Sequence, residues 1–231
     1  MKALIDGDIL AYRIGFTTED VGEPIVRARV DEFLSELLMD LDVKDYDGWL
    51  SGDNNFRDKI AVTVPYKGNR TGRRPIHYQY IRDYLVNDWG FKITEGQEAD
   101  DALAIQATEL RDKCIICSID KDLLQVPGWH YNFVKKEKTY VDESTGTRNF
   151  YQQVLTGDRV DNIVGIRGIG PVKASAILKC CRTDEEYFRV CVESYDGNVE
   201  RVVENCRLLW LRRYPDQTWE RPLSENIVSK S

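Results

Sequence analysis

Nine acids fall in five groups along the chain: Asp6; Asp53; Glu98, Asp100 and Asp101; Asp120 and Asp122; Asp158 and Asp161. Carboxylates at such short, recurring spacings suit a shared cation. With only two histidines, His77 and His130, histidine-led acid–base chemistry has little to draw on. Oxygen-only donors select hard ions, Mg²⁺ or Mn²⁺. Nine carboxylates meeting without cations would have raised pKa values and would destabilise the fold. Two such ions roughly 4 Å apart can clamp an in-line phosphodiester displacement. Each group also has an ordinary explanation. Asp6-Gly7-Asp8 is a common strand-end turn. The run Glu98-Ala99-Asp100-Asp101 reads equally as a helix start, where acids favour the macrodipole.

The stretch Leu155 to Leu178 adds a second kind of chemistry. Asp158 and Asp161 are three apart, a spacing that predicts two carboxylates on one face of a helical turn. Gly165-Ile166-Arg167-Gly168-Ile169-Gly170-Pro171 follows, where glycines allow positive φ and Pro171 suits the first turn of a helix. Backbone N–H groups at such a helix start seat a phosphate, and Lys173 adds a charge beside them. A Gly-rich turn with solvated acids is the plain alternative. Upstream, Phe56-Arg57 and Tyr66-Lys67-Gly68-Asn69-Arg70, with Arg73 and Arg74 close behind, interleave cations and rings. Cations meet phosphates and rings stack on bases, so the run suits a nucleic-acid strand as well as it suits a solvated loop.

These groups need elements to carry them. Lys2–Ile5 reads as a buried strand ending at Asp6, and Trp49–Ser51 as a second strand closed by Gly52-Asp53. Cys114–Ile119 is a continuous apolar run, which predicts a central parallel strand ending in Asp120-Lys121-Asp122. Acids at the carboxyl ends of strands face the crevice where α/β folds bind ligands. Helical spacing covers 26–41, 76–89, the run from Glu98, 148–156 and 198–213, with a Thr183–Glu186 capping box opening 184–195. Lys92–Thr94 is a brief strand, and 130–142 alternates like a hairpin.

A chain of 231 residues suits one large domain or one with a smaller companion, and 42% apolar content is enough for a packed core. The net charge of −7 opposes nucleic acid only if it is spread evenly, and here acids are grouped while Lys67, Arg70, Arg73, Arg74 and Arg82 crowd one region. Six cysteines lack a disulfide framework, and Cys114-x-x-Cys117 lies in a strand-like run, so buried free thiols in a reducing cytoplasm are expected. The opening MKALIDGDILAYR holds no apolar run long enough for a signal peptide or a membrane span. Residues 224–231 read as a frayed tail.

Taken in order, strand-end Asp, Asp with Arg, Tyr-Lys-Gly-Asn-Arg, Glu-x-Asp-Asp, Asp-x-Asp and Asp-x-x-Asp with its Gly-rich hairpin resemble the flap endonuclease / 5′→3′ exonuclease family. The resemblance covers Lys2 to about Arg221, and the C-terminal end is similar to short bacteriophage 5′→3′ exonucleases. It implies a PIN-like α/β fold, a mixed, mainly parallel sheet flanked by helices, over residues 1–147, and a helical region with a helix-hairpin-helix-like duplex clamp over 148–231. It implies two Mg²⁺ or Mn²⁺ ions, with Asp6, Asp53, Glu98, Asp100, Asp101 and Asp120 around the first. Asp122, Asp158 and Asp161 would complete the second. Lys67 and Arg70 would meet the scissile phosphate. Arg57, Tyr66, Arg73, Arg74, Gly165, Ile166, Gly168, Ile169, Gly170 and Lys173 are expected to contact DNA. A K⁺ ion is expected on the hairpin carbonyls of Gly165, Ile166 and Ile169. Asp8 departs from the family pattern, where its position is often uncharged, and reads as a hydrogen-bonding support.

The implied activity is metal-dependent hydrolysis of DNA from or near a 5′ end, extending to RNA in RNA–DNA hybrids, by a monomer in the cytoplasm, that of the host if the chain is phage-encoded. The competing readings are a PIN-type ribonuclease, which has no need of a duplex clamp, and a catalytically silent protein that binds branched DNA. Exonuclease and flap endonuclease differ in whether residues 67–97 close an arch or leave an open cleft.

Overall fold

The computed structural model describes residues 1–222, so the expected tail at 224–231 lies outside the described residues. Two compact units form. The first contains Met1–Phe56, Thr71–Asp142 and Leu211–Asp216; the second contains Arg57–Arg70, Glu143–Trp210 and the chain from Gln217. The chain therefore crosses between units more than once, where the sequence suggested one cut after residue 147.

In unit 1 the elements run β1 (Lys2–Asp6), α1 (Gly7–Thr17), α2 (Glu23–Leu41) and β2 (Asp45–Leu50). After the short α3 (Arg57–Ile60) of unit 2 come α4 (Tyr78–Asn87), β3 (Lys92–Ile93), α5 (Ala99–Leu110), β4 (Cys114–Cys117), β5 (Gly128–Asn132) and β6 (Glu137–Val141). The strand order is β3-β2-β1-β4-β5-β6, parallel from β3 to β5, with β6 antiparallel on the edge. Strand β1 is buried on both faces, because alternate side chains point to opposite sides. Ala3 and Ile5 pack with α1, α2 and α4, while Leu4 joins Leu103, Ala104 and Ala107 of α5. Helices on both faces explain why the central strands are apolar throughout.

Helix α1 is absent from the sequence reading, which ends β1 in a turn. Asp6 instead caps it, its Oδ1 accepting from the Ile9 N–H at 3.1 Å. Helix α9 (Val199–Leu209) is shorter than the expected 198–213, because the residues beyond it bond within unit 1. There the Leu211 N–H donates to Gln125 Oε1 at 3.0 Å and the Arg212 N–H to Asp101 Oδ1 at 3.1 Å.

Unit 2 is helical: α3, α6 (Glu143–Thr156), α7 (Pro171–Ile177), α8 (Asp184–Ser194) and α9, with a small antiparallel pair β7 (Gly157–Asp158) and β8 (Ile163–Val164). Phe150, Tyr151, Leu178, Phe188, Val202 and Trp219 belong to its core. The Thr183–Glu186 capping box opens α8 as its sequence indicates. All six cysteines are free thiols and five are buried. Burial pushes the Cys114 thiol up to about 11 and the Cys117 thiol higher still, which leaves both inert. No helix among the described residues is long and apolar enough to cross a membrane.

Arg57, expected at a DNA surface, is 1% exposed. Its Nε donates to the Leu208 carbonyl at 2.7 Å and its NH2 to the Trp210 carbonyl at 2.9 Å, so it closes the C-terminal end of α9. Arg57→Ala is expected to lower the unfolding free energy by about 3 kcal/mol in a urea titration. Arg57→Lys should recover little, because one ammonium cannot reproduce the guanidinium fork.

Candidate active site

Parallel strands bring their carboxyl ends to one edge of the sheet in unit 1. Connections run from β1 through β2 to β3 on one side and from β4 to β5 on the other. The reversal lies between β1 and β4, the place where open α/β sheets bind ligands. Asp6 ends β1 at 2% exposure. Ser118, just past β4, donates its hydroxyl to Asp6 Oδ2 at 2.6 Å and accepts the Asp120 N–H at 3.0 Å. Asp120 Oδ1 in turn accepts the Asp122 N–H at 2.9 Å. One hydroxyl thus ties the acids of two neighbouring strands together.

A matching brace sits past β2. Asp8 Oδ2 accepts the Ser51 N–H at 3.0 Å, and Asp8 Oδ1 accepts from Arg82 at 2.9 Å. Arg82 also donates to the Ser51 carbonyl at 2.7 Å, and Ser51 Oγ accepts the Ala99 N–H at 2.9 Å. Arg82 is accordingly buried within unit 1 and not part of a basic surface. Neither serine was singled out from the sequence. The signal was present: Ser51-Gly52-Asp53 and Ser118-Ile119-Asp120 repeat Ser-x-Asp directly after a strand.

Electrostatics follow from this crowding. Burial raises the Asp6 carboxyl to about 7, with Asp8 and Asp120 adding to the shift against the Ser118 hydrogen bond. Burial also lifts half-buried Asp100 well above the usual carboxylate range, and Asp6, Asp120, Glu98 and Asp8 push the same way. Asp53 is exposed just beyond β2, and Glu98 opens α5. Asp101 departs from its expected ligand role. It is fully buried, its Oδ2 accepting the Glu98 N–H at 3.3 Å and its Oδ1 the Arg212 N–H at 3.1 Å. The helix-start explanation holds for this acid, which anchors α5 and the 211–213 segment.

In unit 2, Asp158 and Asp161 lie on a hairpin, not a helical turn. Gly157–Asp158 pairs with Ile163–Val164, and Asp158 Oδ1 accepts the Val160 and Asp161 N–H groups at 2.7 and 3.2 Å. This Asx turn gives the same close pairing that three-residue spacing gives on a helix. The basic segment docks on it. Tyr66 is buried and its hydroxyl donates to Asp161 Oδ2 at 2.8 Å, so its ring faces protein and not a base. Arg70 donates to Asp161 Oδ1 at 2.7 Å, and Lys67 Nζ lies 3.7 Å from the same oxygen. The Lys67 N–H reaches the Asp161 carbonyl at 2.9 Å, and Asn162 reaches the Pro65 carbonyl at 2.8 Å. Lys67 holds φ at 53°, a left-handed conformation that costs a non-glycine residue about 1 kcal/mol or more.

The Gly-rich turn leads into α7 with Gly170 as N-cap and Pro171 in the first turn. Only Gly168 of its three glycines has positive φ, at 82°. Gly165 is required by close approach, since a Cβ there would lie 2.1 Å from the Thr156 carbonyl carbon. Ile166 and Ile169 pack partly on the core, which leaves backbone groups as their means of contact. Lys173 is exposed and donates to the Gly168 carbonyl at 2.9 Å.

Residues 71–97 lie down on unit 1. Arg73 pairs with Glu19 and stands 5.8 Å from the Phe16 ring centre, His77 Nε2 bonds the Val21 carbonyl at 2.9 Å, and exposed Arg74 stands 5.0 Å from the Tyr78 ring centre. Helix α4 then buries Ile81 and Leu85 completely. Arg73, expected to contact DNA, is exposed and pairs with Glu19 in this structure.

No family model matches the chain. A 5′-3′ exonuclease of Mycoplasma genitalium is 31% identical over 207 residues, covering 76% of this chain and 70% of that protein. The chain belongs to the 5′→3′ exonuclease family. A 5′-3′ exonuclease of Mycoplasma pneumoniae is 29% identical over 214 residues, covering 80% and 74% of the two chains. The phage T5 D15 protein, crystallised with metal ions, shares the fold at a TM-score of 0.72 and 16% identity, over 90% of this chain and 88% of that one. The mixed, mainly parallel sheet flanked by helices is the PIN-like nuclease architecture.

The strand-end acids of this family member offer oxygen atoms only, the donor type that hard divalent cations take, and at Asp6 and Asp100 burial and neighbouring acids raise the proton affinity. Among the described residues no three His, Cys, Asp or Glu side chains converge tightly enough to cage an ion. A carboxyl whose folded pKa lies above its unfolded value binds more protons in the folded state. Its stabilisation is therefore lost as pH rises toward the folded pKa, here through about 7 for Asp6. Without divalent ions the Tm should fall between pH 5 and pH 8. Mg²⁺ or Mn²⁺ at a hundred times Kd should restore about 2.7 kcal/mol, or about 5–10 °C, at pH 8 and much less at pH 5. Thermal melts with and without EDTA check both signs.

Proposed function

We propose that this chain hydrolyses phosphodiester bonds of DNA from or near a 5′ end, using two divalent ions. The observation that carries the reading is the mutual crowding of Asp6, Asp100 and Asp120 at the sheet edge of a 5′→3′ exonuclease family member. Asp6, Asp53, Glu98, Asp100 and Asp120 would hold one ion, directly or through waters. Asp122, in unit 1, would supply a donor to a second ion, and Asp158 and Asp161, in unit 2, offer paired oxygens of the same kind. Such ions make a water more acidic and neutralise the departing oxygen. T5 D15, crystallised with metal ions, supports the divalent requirement.

The chain's own residues set the rest of the geometry. Lys67 and Arg70 offer an ammonium and a guanidinium to the phosphate, where their charge counts most as negative charge develops. Both now rest on Asp161, which pre-orients them and exchanges them for the phosphate on binding. Tyr66 stays behind to hold the Asp161 carboxylate. The turn from Gly165 to Gly170, with Lys173, would grip the duplex backbone through N–H groups, with a K⁺ ion as a further partner of its carbonyls. Contacts of Arg73 with Glu19 and of His77 with the Val21 carbonyl hold part of residues 71–97 against α1 and the turn after it, which supports an open approach to the strand-end edge.

Cleavage of 5′-labelled substrates in Mg²⁺, with EDTA controls, tests this. A blunt duplex, an RNA–DNA hybrid and a 5′ flap with a bulky terminal cap would be compared. Short products from the duplex and cutting of the capped flap are expected. The absence of any Mg²⁺-dependent product would move the chain to a DNA-binding role. Lys67→Gly keeps the left-handed backbone and removes the ammonium. Turnover should fall by about 10² or more, while stability shifts by no more than about 1 kcal/mol.

A further inference from the structure

The loop that carries Lys67 and Arg70 rests on the Asp158–Asp161 hairpin from Tyr66 onward, while its approach from α3 is held separately. Between α3 and Tyr66 the chain is irregular, and Val62 is 86% exposed, so no apolar anchor holds that point. At Val62 and Thr63 the anchors are polar and come from α9. Glu204 Oε1 accepts the N–H groups of Val62 and Thr63, each at 2.7 Å, and Oε2 accepts the Thr63 hydroxyl at 2.5 Å. Arg201, one turn earlier, pairs with Glu204 Oε2 at 2.7 Å, also bonds the Thr63 hydroxyl, and donates to the Val164 carbonyl at 2.6 Å. Asn205 donates to the same Val164 carbonyl at 3.1 Å.

Two adjacent segments are therefore gripped from one helix face. Val62 and Thr63 precede Tyr66 and Lys67, and Val164 follows Asp161, the residue on which Lys67 and Arg70 rest. Glu204 and Arg201 are 11% and 14% exposed, so their interaction is sheltered from screening by solvent. Burial opposes ionisation of Glu204, but bonds from Thr63, Val62 and Arg201 hold its carboxyl below the usual range. An ångström of misplacement in a phosphate-binding group costs about 10² in rate.

We propose that Glu204 is a positioning residue: through the backbone of Val62 and Thr63 it sets the register of Lys67 and Arg70 over the Asp158–Asp161 hairpin. This rests on the nuclease reading for its effect on rate. Its structural half stands separately and can be read without turnover.

The test uses Glu204→Ala and Glu204→Gln in the full chain. In metal-free protein, hydrogen exchange at the Val62, Thr63 and Lys67 amides should speed up at least tenfold in Glu204→Ala, with Tm within a few degrees of the parent. Single-turnover cleavage of a labelled duplex in Mg²⁺ should fall about tenfold or more, with duplex Kd within twofold. Glu204→Gln retains Oε1 as an acceptor for both backbone N–H groups and should recover most of both losses. Unchanged exchange at Lys67, a parental cleavage rate in Glu204→Ala, or a rate loss that merely tracks Tm would each overturn the proposal. A parent protein that cleaves nothing would sink the nuclease reading, and the exchange result would still decide the anchoring role.

Discussion

Burial of carboxylates at one sheet edge, with their mutual repulsion added to it, is the constraint around which the central strand ends of unit 1 are arranged. Five parallel strands must end on the same side, and three central ones are followed at once by acids. A sheet buried on both faces offers those acids little water, so each charge raises the proton affinity of the next. The fold does not dissipate this cost by spreading the acids out. Ser118 joins Asp6 to Asp120, while Ser51, Asp8 and Arg82 lock the neighbouring strand end. The positions of these strand-end acids are thus fixed by hydrogen bonds within unit 1. That pre-organisation is what a phosphoryl-transfer site requires, since most of its catalysis is positioning and charge.

Unit 2 solves a complementary problem, holding cations in readiness without neutralising them permanently. Asp161 receives Tyr66, Arg70 and Lys67 from a segment that precedes it by about ninety residues. The tyrosine is buried, whereas the two cations are partly exposed, which leaves them open to the phosphate proposed for them. Lys67 reaches its place only through a left-handed backbone, a cost of the kind found where function outweighs local comfort. Arg57 and Glu204 hold the same segment on α9 from its other end.

The strands and most helices were legible because burial writes itself as apolar runs and 3.6-residue spacing. Lys2–Ile5 and Cys114–Ile119 show this plainly. Helix α1 was not, since Asp6-Gly7-Asp8 is equally good as a turn, and only the bond from Ile9 to Asp6 distinguishes a cap. Three-residue spacing between Asp158 and Asp161 is shared by a helical turn and an Asx turn, so the proximity could be read but the element could not. Arg57 and Asp101 misled because an ionic side chain in a motif gives no sign of facing inward. Their partners, Leu208, Trp210 and Arg212, lie more than a hundred residues away. The same long-range bonds explain why segments 57–70 and 211–216 change units.

Anomalous diffraction from crystals grown with Mn²⁺ is the most direct test of the carboxylate edge as a metal centre. The expected result is anomalous density within about 2.5 Å of oxygens of Asp6, Asp100 or Asp120 or of waters bound to them. Saturating Mn²⁺ with no density at that edge, or density only elsewhere, would contradict the reading of these strand ends as a catalytic metal site.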